Sequence, residues 1–183
     1  MPTTATRSSS GKAKTAKSTS SRKSASTRKA SQPKTQDAIA LLKADHKLVD
    51  GMFKEFDEAK TAAQKGSLAA RICAALKVHT QVEEEIFYPA CRGEIEDDML
   101  DEAKVEHTSA KQLIAEIEGM APGQELYDAK VTVLGEYIRH HVKEEEQEMF
   151  PKVRKTDLDL KALGEQMAMR KAELERQMKA QVQ

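Results

Sequence analysis

The chain has 183 residues and a formal net charge of zero, with 33% charged residues, 4% aromatic residues and no tryptophan. Few glycines and prolines, with abundant Ala, Glu, Lys and Leu, favour an all-helical protein with a modest core. No stretch approaches the roughly 18 apolar residues of a membrane-spanning helix. The two cysteines fit no metal or disulfide spacing, so we expect a cytoplasmic protein with reduced thiols and no membrane association.

The first 36 residues differ from the rest of the chain. They carry nine Lys or Arg and no acid, and no Val, Leu, Ile, Phe or Tyr occurs between Pro2 and Ala38. Such a segment cannot bury enough apolar surface to offset its ordering entropy, so residues 1–36 are predicted to be a disordered basic tail. The tail is either a polybasic arm that contacts nucleic acid or another polyanion, or a flexible solubilising extension.

From Asp37 onward apolar residues recur with helical period. The pattern predicts helices over residues 37–63, 66–88, 94–119 and 124–150, the last ended by Pro151. Short loops between long helices favour an antiparallel up-down-up-down four-helix bundle over residues 37–151. Residues 152–183 form a C-terminal extension, whose apolar stripe over 158–179 predicts a fifth helix that packs on the bundle or projects as a partner-binding arm.

The bundle contains an internal duplication. The segment from His79 to Pro89 matches the segment from His141 to Pro151 in spacing. Ahead of these segments, Lys43-Ala44-Asp45-His46 and Lys104-Val105-Glu106-His107 are also alike. Two helix pairs of similar design therefore face each other, and they can place their histidines around a common pseudo-twofold centre.

Each of the four helices carries one histidine in the middle of its apolar stripe. The second and fourth helices add a glutamate one turn later, so that His and Glu share the inward face. Left unpaired in an apolar core, such groups would cost several kcal/mol each. A pair of divalent metal ions would supply the missing positive charge, and mixed imidazole and carboxylate donors suit iron, with manganese or zinc as the weaker candidates. The predicted metal ligands are His46, His79, Glu83, His107, His141 and Glu145.

Two alternatives stay open at this point. A single histidine on an apolar stripe is more often a satisfied core residue than a ligand, and a purely structural bundle would need no metal. His140 with Glu144 also repeats the spacing of His141 with Glu145. The register of the duplication and the stripe through Ile138 select His141, and place His140 about 100° around the helix.

The motifs that carry a resemblance are Ala44-Asp45-His46, Glu106-His107, and the two His-x-x-x-Glu segments that end in Ile86-Phe87-Tyr88-Pro89 and Met149-Phe150-Pro151. On these residues the chain resembles a hemerythrin-like protein of the HHE cation-binding domain family. The resemblance implies an antiparallel bundle around two iron ions joined by an oxo or hydroxo bridge. It also implies that the four histidines are terminal ligands and that Glu83 and Glu145 are bridges.

One position departs from the pattern of oxygen-carrying hemerythrins, which use a fifth histidine one turn from the first histidine of the third helix. Here the residues four positions from His107 are Ala103 and Lys111. We therefore expect a more open centre, or one completed by water or by a carboxylate such as Glu84. This departure argues against simple reversible oxygen carriage.

The resulting hypothesis is a non-haem di-iron protein of the stress response that binds or senses oxygen, nitric oxide, peroxide or iron. Weak oxidase or peroxidase chemistry is compatible with such a site, and the sequence does not decide whether the protein is an enzyme. One alternative is a protective protein that docks on nucleic acid through its basic tail. Another is iron–sulfur cluster repair, although relatives with that role carry an N-terminal domain with cysteines, and residues 1–36 contain none.

Overall fold

The computed structural model describes residues 36–181, and the regular structure of those residues is helical. The predicted disordered tail lies outside the described residues, apart from Gln36. The long helices are α1 (Ala38–Glu58), α2 (Ala62–Val82), α4 (Asp97–Glu118), α5 (Tyr127–Glu144) and α7 (Leu160–Gln181). Two short helices, α3 (Tyr88–Cys91) and α6 (Phe150–Val153), follow π-helical turns at Glu83–Phe87 and Glu145–Met149. The prediction of an all-α helical bundle is confirmed.

Helices α1 and α2 begin where side chains bind the first free backbone N–H groups. The Asp37 carboxylate accepts a hydrogen bond of 2.7 Å from the backbone of Ala40. Thr61 and Gln64 form a reciprocal capping box at the start of α2. The prediction that this helix starts at Gly66 was wrong because it overlooked this cap, whose first residue lies five positions upstream.

The two π turns are the main local departure from the sequence prediction, which placed uninterrupted α-helix over both segments. The backbone N–H of Tyr88 bonds to the carbonyl of Glu83, and that of Phe150 to the carbonyl of Glu145. Pro89 and Pro151 then fall in the first turn of a new helical segment, where no N–H is required. The fourth helix therefore does not end at Pro151, as predicted, but continues to Val153.

Helix α7 packs on the bundle rather than projecting from it. Its buried residues Leu163, Met167 and Leu174 share one core cluster with Val78 and Val82 of α2. A second cluster draws aliphatic and aromatic residues from all four bundle helices, α1, α2, α4 and α5, and includes Phe53, Ile72, Ile114 and Leu134. None of the described helices combines the length and the apolar character that crossing a membrane requires.

The contact between α7 and the start of α1 is tight at Gly164. A Cβ added there would lie 2.4 Å from the carbonyl oxygen of Gln36 and 2.7 Å from the backbone nitrogen of Ala38. We expect Gly164→Ala to lower the free energy of unfolding by about 1–3 kcal/mol, because backbone atoms would have to move. Gly51 in α1 is the matched control, since a Cβ there meets nothing within 4 Å. Gly51→Ala should raise stability by about 0.5–1 kcal/mol, and urea denaturation of both variants measures the contrast.

Candidate metal centre

The six residues predicted as metal ligands lie together in the interior. His46, His79, His107 and His141 come from four different helices, α1, α2, α4 and α5. The two glutamates are the first residues of the two π turns. All six side chains are buried, and none is more than 6% exposed.

Each glutamate faces one histidine from each half of the duplication. Glu83 Oε2 lies 3.2 Å from His79 Nε2 and 3.4 Å from His107 Nε2. Glu145 Oε2 lies 3.2 Å from His46 Nε2 and 3.6 Å from His141 Nε2. The pseudo-twofold arrangement inferred from the sequence repeat is therefore present in the side chains, with the two carboxylates between the two pairs of imidazoles.

Several of these buried atoms are close to one another but form no hydrogen bond. They are Nε2 of His46, both ring nitrogens of His79, both carboxylate oxygens of Glu83 and Oε2 of Glu145. A buried polar atom without a partner costs about 1–3 kcal/mol, and an unpaired charge costs more. One cation in each half of the cluster would satisfy the inward-facing atoms of this set, although not His79 Nδ1, which faces Asp45. The inward donor set therefore fits a pair of metal ions.

Two overlapping groups of donor atoms are compact enough to hold one ion each. The first consists of His46, His79, Glu83 and Glu145, and the second of Glu83, His107 and His141. Within each group the donor atoms lie within 4.8 Å of one another. Glu83 belongs to both groups, so its carboxylate lies where a carboxylate that bridges two ions would lie.

The Nδ1 atom of each histidine faces a further carboxylate on the outer side of the cluster. His46 Nδ1 lies 3.0 Å from Glu146, and His107 Nδ1 lies 3.0 Å from Glu84. The duplication relates these two glutamates, since each follows one of the buried glutamates directly. An Nδ1–H that donates to a carboxylate leaves the Nε2 lone pair directed inward, which is the tautomer a metal requires.

The other two histidines also face a carboxylate, but only one of them lies within hydrogen-bond distance of it. His79 Nδ1 lies 3.7 Å from Asp45, and His141 Nδ1 lies 2.7 Å from Glu106. Asp45 and Glu106 each precede one of the site histidines in the duplicated segment. These four carboxylates were not assigned to the histidines from the sequence, although their matched positions in the repeat were a usable signal.

The electrostatics of the two buried glutamates are unequal. Burial and the charge of Glu145 raise the pKa of Glu83 well above its ordinary value. Burial also acts to raise the pKa of Glu145, but His141 and His46 outweigh it and the pKa of that carboxyl is lowered. The two carboxyls therefore differ in how tightly each holds a proton in the absence of a cation. Burial also lowers the pKa of His79 to about 4, so its imidazole stays neutral.

Tyr88 breaks the twofold symmetry of the cluster. Its hydroxyl donates a hydrogen bond of 3.0 Å to Glu145 Oε1 and lies 3.3 Å from His107 Nε2. The duplication places Phe150 at the matching position, where its ring stacks on His46 with 5.9 Å between centroids. Tyr137, by contrast, lies on the surface and is 55% exposed.

The structure also separates the alternatives for His140 and Glu84. His141 lies in the buried cluster, whereas the His140 side chain is 63% exposed. Glu84 contacts His107 Nδ1 and the Lys111 ammonium, the latter at 2.6 Å. Its carboxylate therefore lies outside the cluster, and the expectation that it completes the centre was wrong because Lys111 and His107 hold it on the outer side.

Comparisons with known proteins agree with this fold. Residues 37–153 match the family model described as the hemerythrin HHE cation binding domain. A DNA nickase of Nostoc sp. is 26% identical over 119 residues, which are 65% of this chain and 33% of the relative. The chain thus spans about a third of that protein's length. A crystal structure of a hemerythrin HHE cation-binding domain-containing protein from Mycobacterium kansasii has the same fold, with 24% identity and a TM-score of 0.66 over 76% of this chain and 87% of that one.

Proposed function

The chain belongs to the hemerythrin HHE cation-binding domain family, and from that premise we propose that it is a non-haem di-iron protein that binds or senses oxygen, nitric oxide, peroxide or iron. The observation that carries the proposal is the set of buried imidazole and carboxylate atoms without hydrogen-bond partners. A core evolved only for packing would leave no such group of polar atoms unsatisfied.

In this proposal His46, His79, Glu83 and Glu145 hold one ion, and Glu83, His107 and His141 hold the other. The outer carboxylates within hydrogen-bond distance would fix the ring orientations of His46, His107 and His141. Iron is favoured over manganese and zinc because imidazole and carboxylate donors combined with two-electron chemistry are typical of iron pairs. When bound, the iron pair would supply redox capacity and Lewis acidity.

The protein's own residues would set how a small ligand behaves at the centre. Tyr88 holds a proton on the atom that faces Glu145 Oε1, and burial raises the pKa of this phenol well above its usual value. Phe150 and Phe87 are almost fully buried, and their rings exclude water from one side of the cluster. A buried site that excludes water and holds one fixed hydroxyl favours the binding of a small polar ligand over reaction with solvent water.

The proposal includes the organisation predicted from the sequence. We infer a basic tail over residues 1–36, a metal-binding bundle over 37–151 with antiparallel up-down-up-down helices, and a helical extension over 152–183. The short connections between the long helices support this order. A cytoplasmic location suits an iron protein with reduced thiols, and burial raises the pKa of Cys73 and Cys91 to about 12, which keeps both unreactive.

The test is to load the purified full chain with iron, measure metal content by mass spectrometry and record its absorption before and after anaerobic reduction. We expect about two irons per chain and absorption changes when the reduced protein meets oxygen, nitric oxide or peroxide. A folded chain that retains no iron after loading and desalting would contradict the proposal.

Tyr88→Phe tests the role of the hydroxyl without emptying the centre. We expect the variant to keep about two irons but to shift the absorption bands of the iron-loaded protein, because Glu145 loses its only donor of an O–H hydrogen bond among the described residues. Tyr137→Phe removes the same atom from an exposed ring and should leave the spectrum unchanged. Identical spectra for both variants would show that Tyr88 only fills space.

A second candidate function is contact with nucleic acid through the basic tail. The nine Lys or Arg of residues 1–36 and the similarity to a protein named as a DNA nickase favour it. Deleting residues 1–35 should abolish binding to duplex DNA that weakens steeply with salt, since each neutralised phosphate adds about −0.9 to the log–log slope. If the shortened chain binds DNA as tightly as the full chain, this candidate is wrong.

A further inference from the structure

A third group of side chains of the types that can bind a metal, one histidine and two glutamates, lies on the surface. His140 and Glu144, one turn apart on α5, face Glu106 of α4. His140 Nε2 lies 3.1 Å from Glu144 Oε1 and 3.8 Å from Glu106 Oε1. These three donors come within 4.8 Å of one another, so they can reach a common cation.

The two carboxylates of this group have no basic side chain to offset them. Between residues 36 and 181, no Lys or Arg nitrogen lies within 4 Å of Glu106 or Glu144, and their contacts of that kind are with histidines. Glu106 is held at 2.7 Å by His141 Nδ1 through one oxygen, Oε2. Its other oxygen, Oε1, is the one directed toward His140.

The other half of the duplication shows what the equivalent place contains. Asp45 corresponds to Glu106, and there the Lys171 ammonium of α7 binds the carboxylate directly. The positions that match His140 and Glu144 are Val78 and Val82, both buried beneath α7. One outer carboxylate is therefore neutralised by an ammonium group, while its twofold mate is open to solvent and flanked by an imidazole and a second carboxylate.

We propose that Glu106, His140 and Glu144 form a second, exposed site for a divalent transition-metal cation. The cation takes the place that the Lys171 ammonium takes in the other half. One imidazole and two carboxylates, completed by water, are donors that zinc and iron(II) accept. Because Glu106 uses Oε1 here and Oε2 for His141, the surface site and the buried cluster can be filled at the same time.

The experiment is a calorimetric titration of zinc into the iron-loaded full chain and into His140→Ala prepared in the same way. The chain has five histidines, and the other four are buried in the central cluster. We expect the wild type to bind one zinc equivalent more than the variant. Glu144→Gln should weaken that equivalent by at least roughly tenfold, since even outer-shell partners of a metal are worth about 10–100-fold.

Glu136→Gln is the matched control. Glu136 lies on α5 four residues before His140, just as Glu144 lies four residues after it. The Glu136 side chain is exposed and makes no ion pair with His140 among the described contacts. This variant should bind zinc like the wild type. Equal zinc stoichiometry in the wild type and His140→Ala would overturn the proposal, and so would an equal loss of affinity in Glu136→Gln and Glu144→Gln.

A second measurement uses the unaltered protein. Diethyl pyrocarbonate should modify one imidazole rapidly, that of His140, and zinc should slow this modification. Rapid modification of His140 that zinc leaves unchanged would overturn the proposal. The first measurement compares zinc binding with and without His140, and the second follows the modification of His140 itself, so neither depends on iron uptake. A chain that takes up no iron but still binds the extra zinc would refute the di-iron function and support the surface site.

Discussion

Glu83→Ala is expected to abolish the binding of both metal ions. Glu83 is the residue common to the two donor groups, it is fully buried, and neither of its carboxylate oxygens has a hydrogen-bond partner among the described residues. In the proposed arrangement, removing Glu83 takes one donor from each ion at once. We expect iron affinity to fall by at least roughly 100-fold, beyond the loss caused by an outer-shell partner. Iron content after loading and desalting measures the effect.

The three consecutive glutamates at the start of the first π turn provide a graded control. Glu84 contacts His107 Nδ1 on the outer side, so Glu84→Gln should weaken iron binding by about 10–100-fold. Glu85 pairs with Arg170 on the surface, so Glu85→Gln should leave iron content unchanged. If Glu85→Gln loses as much iron as Glu83→Ala, a general loss of negative charge explains the result and the assigned geometry is wrong.

Although Glu83→Met should also lose iron binding, we expect it to stabilise the metal-free protein against unfolding by about 1–3 kcal/mol at neutral pH. The buried carboxyl has no hydrogen-bond partner in the described structure, and an apolar side chain of similar length removes that cost. Iron loading should then stabilise the wild type and leave Glu83→Met unchanged. Thermal and chemical unfolding with and without iron give both comparisons.

The pH dependence of this gain has a definite sign. Burial and Glu145 raise the folded-state pKa of Glu83 above its ordinary value of 4.5. The unfolded chain therefore releases this proton more readily, and the metal-free wild type loses stability as pH rises above about 4.5. The advantage of Glu83→Met should be smallest near pH 4.5 and grow toward neutrality. A stability advantage of Glu83→Met that shrinks from pH 4.5 to neutrality would show that Glu83 is ionised in the folded protein. The control is Glu85→Met on the surface, which should change the free energy of unfolding by less than about 0.5 kcal/mol.

The helical stripes and the sequence repeat were enough to predict the helical bundle and to bring the six buried residues together. A helix with one histidine in an apolar stripe carries little information, but four such helices related by a repeat constrain one another. His141 was separated from His140 by the same logic, because only one of two adjacent residues can face the core. Whether the six residues bind metal stays a prediction.

The π turns could not be predicted from these patterns. They depend on a wider hydrogen-bond register at Glu83 and Glu145, which hydrophobic periodicity does not reveal. The histidine partners of the outer carboxylates were not predicted, since only the fold shows which acidic side chain faces which histidine. The pairing of Lys171 with Asp45 joins residues 126 positions apart and needs tertiary structure to be seen.

The most direct test of the central claim is anomalous X-ray diffraction from crystals of the iron-loaded full chain, with data on both sides of the iron absorption edge. We predict two iron peaks in the buried cluster, one beside His46 and His79 and the other beside His107 and His141, with Glu83 between them. Iron found only on the surface, with the buried histidines and glutamates packed against one another and no peak among them, would contradict the account.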